Sequence, residues 1–152
     1  MSLLETMIAI VVFSVGTLGV ASMMITSMRN SDATLSRTQS TILATEIYEK
    51  MLANPQAAAA GNYDLAIETS LSPSDTTPEC GAALADCNPA EMAEWDLAEW
   101  SARTNQLLRS ADAGISVDAT VDPMLIQVQI QFDPLGETDG QTTETFTFRA
   151  RQ

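Results

Sequence analysis

The sequence predicts an α+β chain: a long N-terminal helix, a second short helix, and a small antiparallel sheet of about three strands. Three observations lead there. Met1 to Met28 holds one charge near its start, Glu5, and no other before Arg29. Arg29 to Leu52 contains neither Pro nor Gly, and its apolar residues recur at helical spacings. From Ile115 onward the pattern changes to apolar–polar alternation, the period of a half-buried strand. The expected divisions are a membrane half over 1–28 and a globular domain over 29–152. The latter comprises an amphipathic half-helix (29–53), a connector with a cysteine loop (54–88), a second helix (89–109) and strands (114–152).

The uncharged run from Thr6 to Met28 is 23 residues long. About 20 apolar residues in helical form cross a bilayer core. A secretory signal peptide has a basic start and a shorter apolar core of about 7–15 residues. Here no Lys or Arg precedes the run, and a carboxylate stands where the positive charge would be. An ionised side chain at the centre of a membrane helix costs about 2.5–3.5 kcal/mol, so Glu5 is a functional candidate by default.

Ser2-Leu3-Leu4-Glu5 followed by Thr6-Met7-Ile8-Ala9-Ile10-Val11-Val12 resembles the mature N-terminus of type IV pilins and type II secretion pseudopilins. In that family a basic leader ending in Gly is removed by the prepilin peptidase, and the new first residue is N-methylated. The resemblance implies processing and N-methylation at Met1, where the family's usual residue is Phe. Met1 is then either the processed residue or the first residue of a shortened chain. The resemblance also implies a pilin-like fold and no cofactor. Glu5 would pair with the α-amino group of a neighbouring subunit when the apolar helices bundle in a fibre core. That pairing would neutralise both charges and set the register between subunits. The plainer reading leaves Glu5 solvated at the headgroup boundary.

The helix is expected to continue through Leu52. Leu35, Ile42, Leu43, Ile47 and Met51 form one apolar stripe, and Glu46 and Lys50 can pair at i, i+4. Asn54-Pro55 ends it, because the residue before Pro is pushed out of the helical region. About 50 residues at 1.5 Å each make a helix near 75 Å long. Gly16 and Gly19 each cost about 1 kcal/mol in a helix interior. They serve either close helix packing or, as the family resemblance implies, local loosening on assembly.

The connector follows. Ala57 to Ala60 can add a helical turn that Gly61-Asn62 breaks; Tyr63 to Leu71 suits a short strand or helix, and Ser70 to Pro78 reads as loop. Cys80 and Cys87 have six residues between them and there is no His in the chain, so zinc lacks ligands. The spacing suits a disulfide, worth about 2.5 kcal/mol in the loop-entropy treatment, and an oxidising compartment such as the periplasm; two free buried thiols are the alternative. Asn88-Pro89-Ala90-Glu91 supplies an N-cap, a Pro at the first helical position and a capping-box Glu. Ala93, Leu97, Trp100, Leu107 and Leu108 form the expected buried stripe, flanked by Met92 and Trp95, with Glu94, Glu99 and Arg103 facing out. The Met51-to-Pro55 segment with its Ala run, and the cysteine loop leading into a Trp-bearing helix, are similar to PilV-type minor pilins.

Gly114 marks the end of this region, and strands follow. Ile115, Val117, Ala119 and Val121 alternate with polar residues; Ile126, Val128, Ile130 and Phe132 alternate with glutamines; Phe146 and Phe148 alternate with Thr145, Thr147 and Arg149. Short turns make this an antiparallel meander that must cover an apolar partner, the amphipathic half-helix. The turn from Asp133 to Asp139 holds three acids, but not the ordered oxygen spacing of a calcium loop.

The chain has 152 residues and a net charge of −13, with 7 basic against 20 acidic residues. Phosphate binding is driven by Lys and Arg, so nucleic acid is a poor partner. Without His, the commonest general base is missing and an enzyme reading is poor. Arg29 alone would favour a cytoplasmic globular domain, whereas the disulfide places that domain outside; the basic leader of a precursor would resolve the conflict the second way. The expected role is a minor subunit of a type IV pilus, acting in initiation or tip assembly and in surface recognition. Its partners would be major and minor pilins, its location the bacterial inner membrane and then the extracellular fibre. A minor pseudopilin of a type II secretion system is the alternative, and a membrane-anchored periplasmic enzyme a distant third.

Overall fold

The computed structural model describes residues 2–67, 79–81, 86–134 and 141–150. Helix α1 spans Leu3–Ala53, α2 Pro55–Ala59 and α3 Pro89–Leu107. The strands are β1 (Asp112–Asp118), β2 (Met124–Phe132) and β3 (Thr142–Ala150). The chain divides into two compact units, Met1–Leu35 and Ser36–Gln152. The expected α+β architecture is present: a long N-terminal helix, a further short helix and a three-stranded antiparallel sheet.

In the second unit the sheet order is β1-β2-β3. Ile115 stands opposite Val128, which stands opposite Phe146. The alternation along β2 is complete, with Met124, Ile126, Val128, Ile130 and Phe132 buried and the residues between them half-buried. This inner face meets the C-terminal part of α1 and one side of α3 in a single core, which includes Leu43, Ala44, Ile47, Met51, Tyr63 and Trp100.

The buried stripe of α1 is Ser40, Leu43, Ala44, Ile47 and Met51. Leu43, Ile47 and Met51 are as expected, but Leu35 and Ile42 are 56% and 59% exposed. Hydrophobicity alone misplaces the stripe, because two of its positions are small. Ser40 is fully buried, and its one O–H has an acceptor in the Glu144 carboxylate, with the Arg37 carbonyl also in reach, which satisfies a group that would otherwise cost free energy. Glu46 and Lys50 do not pair with each other: Glu46 accepts from Arg103, and Lys50 pairs with Asp96 and Glu99. A buried Asp96 requires a cation more strongly than an exposed i, i+4 pair gains from one.

Asn54 ends α1 as expected, and α2 follows at once with Pro55 in its first turn. Its end is a Schellman motif: Gly61 N–H donates to Ala58 O and Asn62 N–H to Ala57 O. Gly61 sits at φ +77°, the left-handed conformation that motif demands. The capping box of α3 is formed on both sides, with Asn88 accepting from Ala90 and Glu91 and the Glu91 side chain accepting from Asn88 N–H.

On α3, Ala93 and Trp100 are buried, as is Leu108 just past its end, and Leu97 is half-buried. Leu107 is 43% exposed, because the chain leaves helical geometry at Leu108. Gly114 does not precede the sheet but lies within β1, at a point where a side chain would press on the Ile67 backbone at 3.0 Å. β1 stops at Asp118, whose carboxylate accepts from Thr120 N–H and hydroxyl; Ala119 and Val121 therefore belong to the turn and not to the strand. Ser70 to Pro78 and the stretch 135–140 of the acidic turn lie outside the described residues.

Candidate functional site

From Leu3 onward the first unit is helix. Its start is organised by Ser2, whose hydroxyl accepts from Leu4 N–H and whose carbonyl accepts from Glu5 N–H. Glu5 thus occupies the first turn of α1, where the positive end of the helix dipole favours a carboxylate by about 0.3–1 kcal/mol. Met1 lies outside the described residues.

Beyond Glu5 the helix is apolar on every side. Leu4, Met7, Ile8, Ile10, Val11, Val12, Phe13 and their successors to Met28 are all exposed. Three of its hydroxyls are turned inward on the helix itself: Ser14 donates to Ile10 O, Thr17 to Ser14 O and Thr26 to Ser22 O. No polar side chain among these three asks for water, which suits a surrounding of lipid or other helices. This is a helix long and apolar enough to cross a membrane. Exposed apolar surface on this scale marks an interaction surface.

Gly16 leaves a dent on this surface, bordered by Phe13, Thr17, Val20, Ala21 and Met24. Nothing lies within 4 Å of where a Cβ would stand at Gly16 or Gly19. No contact within the described chain therefore calls for either glycine.

A separate polar group holds the second unit together and was not read from the sequence. Lys50 Nζ lies 2.6 Å from Glu99 Oε2 and 3.2 Å from Asp96 Oδ1. Tyr63 donates to Asp96 Oδ2 at 2.7 Å, and Asn54 Nδ2 donates to the Tyr63 hydroxyl and to Pro89 O. Burial of the Tyr63 phenol, reinforced by Asp96, pushes its pKa upward and keeps it a donor. Burial alone would lower Lys50, but the hydrogen bond to Glu99 and the charge of Asp96 outweigh it and raise it. The Lys50 hydrogen bond and charge hold Glu99 below its ordinary range. No cue marks Tyr63 or Asp96 in advance, because their burial depends on a contact 33 residues apart in sequence.

Trp100, fully buried, donates its indole N–H to the Leu43 carbonyl at 2.8 Å. It is a core residue. Cys80 and Cys87 are joined in a disulfide with their Cα atoms 5.8 Å apart. Gly81 rests against Trp95 of α3, where a Cβ would come within 2.8 Å of the ring. Among the described residues no group of three or more His, Cys, Asp or Glu is placed to hold a metal ion.

The comparison with known families decides the identity. A family model described as Tt1218-like, type IV pilin Tt1218, matches residues 22–98, just over half of the chain. The chain belongs to the type IV pilin family. The matched stretch runs from the last part of the apolar helix to α3 and takes in the cysteine loop. Glu5 lies before it, so the proposed role of that residue rests on the N-terminal motif. No curated protein and no solved structure matches the chain. Pilins are structural subunits that assemble with other pilins, and the apolar helix of this pilin fits both membrane anchoring and a place in a fibre.

Proposed function

We propose that this pilin is a minor, non-enzymatic subunit of a type IV pilus, of the PilV type, acting in initiation or tip assembly of the fibre. The observation that carries the fibre-subunit part of this reading is one carboxylate, Glu5, in the first turn of a helix whose apolar side chains are exposed all round. The PilV-type assignment rests on the likeness of the cysteine loop and Trp-bearing helix. Before assembly the inner membrane covers that surface; in the fibre the helices of neighbouring pilins replace the lipid. Glu5 then meets the methylated α-amino group of a neighbouring subunit, as Met1 of this chain meets the carboxylate of another. Methylation leaves the amine charged, so the pairing is kept. The disulfide-bearing domain is displayed outside the cell, where its acidic surface is available for recognition.

Deletion tests the initiating role. Cells lacking the chain are expected to keep the dominant pilin in the membrane and to carry far fewer fibres, as counted by electron microscopy. Full piliation would overturn the initiating role. Full piliation together with loss of a secreted protein would support the alternative, a minor pseudopilin of a type II secretion system.

A further inference from the structure

One contact determines the direction of every backbone group in the sheet. The N–H and C=O of Ile115 both bond to Leu65, at 2.8 Å each, so they point away from β2. Val117 N–H points the same way, to the Asp64 carboxylate at 2.9 Å. In an antiparallel ladder this direction alternates residue by residue. Gly114 and Ser116 therefore bond to Gln129 and Gln127 on β2. Ile126 and Val128, pointing the other way, bond to Phe148 and Phe146 on β3. Thr143, Thr145, Thr147 and Arg149 are left presenting their backbone groups at the outer edge of β3. The Tyr48 hydroxyl agrees, since it donates to Arg149 O from that side at 3.2 Å.

The two edges of the sheet are treated differently. The chain covers the β1 edge itself, through Leu65 and Asp64, and packs Ile67 against Gly114. Along the outer edge of β3, Tyr48 is the one partner among the described residues. Of the usual deterrents to strand addition, a bulge, Pro and Lys are absent from the nine residues that pair with β2; the two charged residues are Arg149 at one end and Glu144, whose carboxylate is held inward by Ser40 and Arg37. Instead the edge offers three threonines, which favour extended backbone.

We propose that an extended segment of a neighbouring, different pilin subunit adds to this edge as a fourth strand. The inference rests on the pilin reading above. Charge argues against a second copy as the occupant. Ser36–Gln152 contains 6 basic and 18 acidic residues, net −12, and Arg37, Lys50 and Arg103 are already tied to carboxylates. Two copies therefore repel, while a segment bearing Lys or Arg is attracted.

Thr145→Pro is the discriminating change. It removes an N–H that faces outward and leaves the β2–β3 ladder its own bonds, a position where Pro is tolerated. Thr145→Val keeps the N–H and serves as the control. Both variants are expected in the membrane at the wild-type level. Thr145→Val should appear in sheared fibres like the wild type, and Thr145→Pro at least about tenfold less, the equivalent of about 1.4 kcal/mol. Equal recovery of Thr145→Pro, with the wild type present in fibres, would overturn the edge inference and leave the pilin reading standing. Absence of the wild type itself would count against the pilin reading. Should Thr145→Pro fail to fold, hydrogen exchange on the wild type decides: the amides of Thr143, Thr145 and Thr147 are expected to exchange fast in detergent micelles and slowly in fibres. Fast exchange in both would overturn the proposal.

Discussion

Replacing Glu5 with Leu is expected to leave the chain in the membrane and to remove it from fibres. The helix around position 5 is already apolar and exposed, so an added Leu makes membrane insertion no harder. Assembly is different, because in a bundle of such helices the neighbour's α-amino group has lost its water. In the proposed pairing Glu5 matches that cation; Glu5→Leu would leave it buried alone, at a cost of about 3–5 kcal/mol. A loss of more than about 100-fold in recovery follows from that range. Immunoblots of membranes and sheared fibres measure it directly. Recovery of Glu5→Leu in fibres at the wild-type level would mean that the carboxylate is merely solvated at the membrane boundary.

Trp100→Ala is expected to have the largest effect on the fold. The side chain is fully buried in the shared core of α1, α3 and the sheet, and its N–H is bonded to the Leu43 carbonyl. Loss of a buried Trp side chain costs about 3–5 kcal/mol, through the lost burial and the cavity left behind. Thermal unfolding of the full chain in detergent micelles, followed by circular dichroism, should show a fall in Tm of more than about 10 °C. Trp100→Phe restores most of the volume and should recover most of the loss, short of the hydrogen bond worth about 0.5–1.5 kcal/mol. A fall of less than about 1 kcal/mol for the Ala variant would contradict a core role for Trp100.

The parts of the fold legible in the sequence are those governed by neighbours in the chain. The capping box at Asn88, the helix stop at Asn54-Pro55 and the turn at Gly61-Asn62 each depend on residues within a few positions. The same holds for β2, whose alternation of aliphatic residues and glutamines has one solution. Long-range pairing was not legible. The partners of Lys50 come from α3, and Tyr63 and Asp96 are brought together by tertiary packing. Small residues misled the reading in the same way: Ser40 and Ala44 belong to the buried stripe of α1, while the larger Leu35 and Ile42 do not. In the N-terminal unit the opposite holds. Glu5 and the apolar run are visible in the sequence because they are exposed, so nothing about them depends on long-range packing within this chain.

Mass spectrometry of fibres sheared from cells, with the membranes left behind as the companion sample, tests most directly whether this pilin is a fibre subunit. Its peptides are expected in the fibres, well below the abundance of the dominant subunit. Recovery of abundant fibres free of those peptides, with the chain confined to the membrane, would contradict a place in the pilus.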